Sequence, residues 1–128
     1  TDATNTSSEL FAFGGSPNGP NPGPRNPRPD RDLFPDEFGM VGPEKPPLPN
    51  GASTFSDPSQ SGLTGHYYRL PAGTQLPDGI RVVADGKTVI PSSPHPATHH
   101  TIYPSDRMSF DQFSRSFRDL PWKYAGKQ

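Results

Sequence analysis

The chain has no cysteine among its 128 residues. That excludes disulfide staples and thiolate metal sites, and it fits a cytosolic site of action. Long apolar runs are missing too. No stretch approaches the roughly 18–20 consecutive apolar residues of a membrane-spanning helix, and no secretory signal pattern is present. If this domain leaves a cell, something else is expected to carry it. Charge of one sign is also lacking: 12 Lys and Arg face 13 Asp and Glu, for a net charge of −1. A general electrostatic attraction to nucleic acid or to an anionic membrane therefore has no basis. Apolar residues are scarce, at 28%.

What the chain does have is 19 prolines and 13 glycines, a composition that favours loops. Its Phe, Tyr, Val, Ile and Leu residues cluster between Phe34 and Leu120. One domain with a small core is expected there. Residues 1–8 are polar and read as a frayed junction to a delivery protein, with the folded unit over 9–128. Glu9 to Phe13 reads as a short strand ended by Gly14-Gly15. Ser16 to Asp30 is a Pro-rich run that forbids helix; it reads as a linker or as an ordered polyproline-like loop offering Arg25, Arg28 and Arg31 to phosphates. Leu33 to Val41 looks like a turn entering a short strand. Ala52–Phe55, His66–Leu70, Ile80–Ala84 and His99–Tyr103 read as further strands, separated by turns such as Pro71-Ala72-Gly73-Thr74 and Leu76-Pro77-Asp78-Gly79.

Ser109 to Leu120 is the one clear helix. Ser109 can cap it, Gln112 can complete a capping box, and Pro121 stops it. Phe110, Phe113, Phe117 and Leu120 recur on one face, which marks a core-facing helix. The expected fold class is α+β: five or six short strands, one C-terminal helix and long Pro-rich loops, with no internal repeat.

Two segments carry the candidate chemistry. Gly51-Ala52-Ser53-Thr54-Phe55 is a small hydroxyl-bearing element entering a strand, and Ala97-Thr98-His99-His100-Thr101-Ile102-Tyr103-Pro104 is a polar His-Thr strand. Together they suit a cleft that grips a phosphate-bearing cofactor. His95, His99 and His100 invite a metal, but neighbours on a strand point to opposite faces, so His99 and His100 cannot share an ion. No metal site is expected. Ser53 lies in no G-x-S-x-G elbow, which disfavours acyl transfer. There is no G-x-G-x-x-G before a helix and no P-loop, which disfavours classical dinucleotide domains and phosphoryl transfer. Asp57, Asp85 and Asp111 sit beside turns or caps and form no assignable carboxylate pair.

Three blocks then resemble the type VI secretion effector toxins with an ADP-ribosyltransferase-like fold. Gly51 to Asp57 is similar to a Gly-Gly-Thr-Ser block ending in Asp. Leu70 to Ile80 is similar to an Ile-Pro-Asp-Gly-Thr block. Ala97 to Pro104, followed by Met108, is similar to an Ala-Thr-His-Tyr-Thr-Ile block. They keep their order and nearly their spacing over residues 51–108.

The resemblance implies an NAD-dependent toxin with a small ADP-ribosyltransferase-like fold, in which NAD is the substrate. The toxin would cleave the nicotinamide glycosidic bond and pass ADP-ribose to a macromolecule or to water. Ser53 and Thr54 would correspond to the family's functional hydroxyl pair and His99 to its block histidine, while Phe55 or Tyr68 would stack on nicotinamide. It also implies a cognate immunity protein, a larger secreted delivery protein and action in the cytoplasm of a target cell. The chain departs from the pattern twice. Leu10-Phe11 is followed by Ala12 where such folds carry an NAD-phosphate arginine, so Ala12 is expected at that position in an inactivated variant. No Glu-x-Glu signature occurs, which leaves water open as acceptor. The alternatives are a non-enzymatic module whose Pro-rich segment recruits polyproline readers, and a nuclease toxin, which the missing basic patch disfavours.

Overall fold

The computed structural model describes residues 4–6, 8–13, 38–41, 52–57, 59, 64–84, 86, 91 and 97–128. The Pro-rich segment 16–30 and His95 lie outside these. Strands β1 (Leu10–Phe13), β3 (Ala52–Phe55), β4 (His66–Leu70), β5 (Ile80–Ala84), β6 (His99–Pro104) and β8 (Lys123–Lys127) form a six-stranded sheet in the order β5-β6-β3-β1-β4-β8. Every pairing in it is antiparallel. β2 (Met40–Val41) and β7 (Met108–Ser109) form a separate two-stranded ladder. The single helix of the described residues, α1 (Phe110–Arg118), follows β7 directly. The described part is thus a small α+β unit dominated by an antiparallel sheet.

Local chemistry explains most elements. β5 is rich in β-branched residues that pack well on a pleated surface. Gly79 ends the preceding turn at φ +83°, a conformation that side chains rarely adopt, and a Cβ there would come within 3.2 Å of the Met108 terminal methyl. Its carbonyl accepts a hydrogen bond from the Ser105 amide at 2.7 Å, tying the start of β5 to the end of β6. Ser109 caps α1 as its sequence suggests: it is extended, and its hydroxyl accepts from the Gln112 amide at 3.1 Å. Asp111 in the first turn and Arg115 and Arg118 in the last complement the helix dipole.

The helix ends two residues earlier than the periodicity suggests, at Arg118, yet Leu120 is still buried. Trp122 explains why. Its indole Nε1–H donates to the Phe117 carbonyl at 2.8 Å, and its ring packs 5.2 Å from that of Phe117. This closes the helix and turns the chain into β8, an edge strand that the sequence reading does not anticipate. Lys123-Tyr124-Ala125-Gly126-Lys127 has no alternating apolar pattern, and pairing with β4 alone makes it a strand. Its lysine ends suit an open sheet edge.

At the other end of the described residues, 4–6 are hydrogen-bonded to the segment 71–76. Asn5 bridges Gln75, and the Thr6 and Leu76 amides donate to the Thr74 and Thr4 carbonyls. Thr6 is buried; its hydroxyl donates to the Pro71 carbonyl and accepts from the Thr74 amide, both at 2.9 Å.

The sheet has two unlike faces. Leu10, Ala12, Ala52, Tyr68, Leu70, Ile80, Val82 and Ile102 share the face that packs against Phe113, Phe117, Leu120 and Trp122. The alternate residues point the other way. Phe113 and Phe117 are the largest fully buried side chains of the described residues. Phe117→Ala should therefore cost about 3–5 kcal/mol, read as a lower urea midpoint with an unchanged slope.

Candidate functional site

β3 and β6 pair residue for residue at the middle of the sheet: Ala52 with Ile102, Ser53 with Thr101, Thr54 with His100, and Phe55 with His99. Cross-strand partners share a face. Ser53, Phe55, His99 and Thr101 therefore stand together on the side of the sheet away from α1. The Phe55 and His99 rings meet edge to face with centroids 5.3 Å apart. Both residues are buried, as is Thr101, while Ser53 is half-buried.

Aromatic rings extend this cluster across the sheet. Phe13 contacts Phe55 edge to face at 6.3 Å and Tyr67 at 5.3 Å, and Phe11 meets Tyr67 edge to face at 5.9 Å. Four strands, β6, β3, β1 and β4, thus contribute to one layer of rings, hydroxyls and an imidazole on this face, buried at Phe55, His99 and Thr101. Aromatic ring faces attract cations, and hydroxyls can orient a polar group held beside them.

Three residues expected at the site lie on the opposite face. Thr54 is fully buried, and its hydroxyl donates to the His100 carbonyl at 3.0 Å. The Ser53–Thr54 pair is therefore divided by strand alternation, with Ser53 presented and Thr54 locking β3 to β6. Tyr68 is buried in the core, edge to face with Tyr124 at 5.5 Å. Ala12, expected to stand at an NAD-phosphate arginine position, pairs with Tyr68 and is only 3% exposed within the same core. Phe11 and Phe13 of β1 face the Ser53 side instead. Ala12 thus lies on the opposite face of the sheet from Ser53 and His99.

The two central histidines are parted in the same way. His99 faces Phe55, and His100 faces Thr54 while its Nδ1 lies 3.0 Å from the Thr98 carbonyl. Among the described residues no group of three His, Asp or Glu side chains is placed to hold a metal ion. Thr101, Phe11, Phe13 and Tyr67, which sequence reasoning did not single out, share the face of Ser53 and His99. An alternating reading of each strand, anchored on the Ser53 and His99 positions, is the signal that would have found Thr101. A groove of about 420 Å³ lies elsewhere, between Gln75-Leu76-Pro77 and Ser116, Asp119, Leu120 and Pro121, and none of the site candidates lines it.

Two substitutions check this division of faces. Ala12→Arg should destabilise the fold severely, because it buries an unpaired guanidinium in the core beside Tyr68; thermal unfolding would reveal it. Thr54→Val should cost about 1–2 kcal/mol through the lost bond to His100, whereas Ser53→Ala should stay within about 0.5 kcal/mol in the same denaturation series.

Comparison with known proteins bears on what this surface is for. The chain finds no match among curated proteins. The family model described as Tse2 ADP-ribosyltransferase toxin matches residues 8–127, a span that holds the whole six-stranded sheet, the helix and both polar central strands. The chain therefore belongs to the Tse2 ADP-ribosyltransferase toxin family.

Proposed function

We propose that the chain binds NAD on the face bearing Ser53, Phe55, His99 and Thr101, breaks the bond between nicotinamide and ribose, and passes ADP-ribose to a macromolecule or to water. The observation that carries this is the meeting of Ser53 and His99, far apart in sequence, on one face of a family member's central sheet.

The chemistry asks little of the protein in covalent terms. The C1′–N bond breaks heterolytically, and its electron pair returns to the pyridinium ring, which leaves as neutral nicotinamide. Positive charge develops on the ribose at C1′ and its ring oxygen. A lone pair from the acceptor oxygen or nitrogen then bonds to C1′, and the acceptor loses its proton. Catalysis therefore means holding the nicotinamide end in a strained pose and stabilising a cation that moves from ring to sugar.

Each residue has a role consistent with its place. The Phe55 and Phe13 rings offer π-density to the pyridinium and then to the sugar cation. Ser53 and Thr101, paired across β3 and β6, bring hydroxyls to the ribose. His99, whose ring stands edge to face with that of Phe55, positions or polarises the substrate. Thr54 contributes indirectly by fixing the pairing that aligns Ser53 with Thr101 and Phe55 with His99. As a toxin of this kind, the chain would act in a target cell after delivery by a larger protein, and the producing cell would need an immunity protein that blocks this face.

Nicotinamide release from NAD is the direct test. Wild type should release it, with labelled ADP-ribose appearing on lysate components or free in solution. Ser53→Ala should lower kcat/KM by about tenfold or more, and His99→Asn by about a hundredfold, with circular dichroism confirming the fold of each. A wild-type chain that neither consumes NAD nor labels a lysate would overturn the proposal.

A further inference from the structure

Direct cross-strand partners run in one line across five strands of the sheet: His99 with Phe55, Phe55 with Phe11, Phe11 with Arg69, and Arg69 with Lys123. All stand on the face away from α1. At the usual strand spacing of about 4.8 Å, the three steps from His99 to Arg69 cover roughly 14 Å. Along that line the chemistry changes from imidazole, through two phenyl rings, to a guanidinium and an ammonium. One end is aromatic and the other cationic, on the length scale of a nucleotide with its phosphates.

The cationic end already holds an anion. Arg69 donates from a terminal guanidinium nitrogen to the Glu9 carboxylate at 3.2 Å. Both side chains are partly open to water, 36% exposed for Arg69 and 46% for Glu9, so this ion pair is weak and easily exchanged. A guanidinium fork matches carboxylate and phosphate oxygens alike, so Glu9 stands where a phosphate oxygen could bind. Lys123 is exposed on the neighbouring strand and keeps the patch cationic even with Glu9 present. The tight loop 71–76, pinned by Thr6, follows β4 immediately and fixes the strand that carries Arg69.

We infer that Arg69, assisted by Lys123, is the anchor for the phosphates of the dinucleotide whose nicotinamide end lies at Phe55 and His99. This rests on the NAD reading given above. The anchoring cation comes from β4, one strand over from the β1 position where Ala12 sits, because on β1 the site face is occupied by Phe11 and Phe13. Glu9 is an internal competitor that the phosphates displace.

Calorimetric titration of the full chain with ADP-ribose, alongside steady-state NAD cleavage, tests this. Arg69→Ala should weaken ADP-ribose about tenfold or more and raise KM for NAD with little change in kcat. Arg69→Lys should recover part of the loss, and Lys123→Ala should weaken binding a few-fold. Glu9→Gln should move the other way, tightening ADP-ribose a few-fold by freeing Arg69, a gain that a merely structural ion pair would not give. Inhibition by nicotinamide, which carries no phosphate, should stay the same in every variant.

The inference is overturned if wild type cleaves NAD while Arg69→Ala keeps ADP-ribose affinity within twofold, or if Glu9→Gln weakens binding as Arg69→Ala does. Should wild type prove inactive toward NAD, titration with inorganic pyrophosphate decides separately. Binding that Arg69→Ala abolishes upholds the anion site without the NAD reading, and no binding removes it.

Discussion

The pairing of Ala52–Phe55 with His99–Pro104 is the constraint on which the rest of this molecule depends. It joins segments 46 residues apart at the Thr54–His100 hydrogen bond, and it forms two of the four inner strands of the sheet. Because side chains alternate along a strand, this one register decides two things together. Ala52, Thr54 and Ile102 go to the core, and Ser53, Phe55, His99 and Thr101 go to the opposite face. A slip of one residue would exchange the two sets, turning Ser53 and Phe55 toward the core and Ala52 and Thr54 to the opposite face. Burial of Ile102 and Thr54, with the latter's hydroxyl satisfied, makes such a slip costly.

The core keeps that sheet in place with few residues. One nine-residue helix supplies Phe113 and Phe117, and Trp122 folds back to bond the Phe117 carbonyl and add its ring. With apolar residues at 28% of the sequence, aromatics do much of the burial. Each removes more surface from water than an aliphatic side chain does. The opposite face carries the same residue class. Phe11, Phe13, Phe55 and Tyr67 form a chain of edge-to-face and tilted contacts that leads from His99 toward Arg69.

Much of the local structure was legible before any coordinates. The strand at Ile80–Ala84 follows from its β-branched run, the helix from the three- and four-residue spacing of its phenylalanines, and the cap from Ser109. The edge strand Lys123–Lys127 was not legible, because a strand exposed along nearly its whole length carries no alternating apolar signal and exists only through its partner. The candidate site was half legible. Ser53, Phe55 and His99 share one face of the sheet. Thr54, Tyr68 and Ala12 do not join them, and the rule that separates them is the one already applied to His99 and His100. Adjacent residues on a strand cannot serve one surface.

The sequence alone determined the list of elements, the amphipathic helix with its stop, the lack of thiol chemistry, and the polar strands worth attention. These depend on local propensity and short-range periodicity, which neighbouring residues encode. Only the tertiary structure decided which strand lies beside which, which face each side chain takes, and that Arg69 of β4 stands beside Phe11 of β1 and pairs with Glu9. Those are properties of pairing between distant segments. Register is set by the summed burial of both faces at once, so no single stretch of chain contains it.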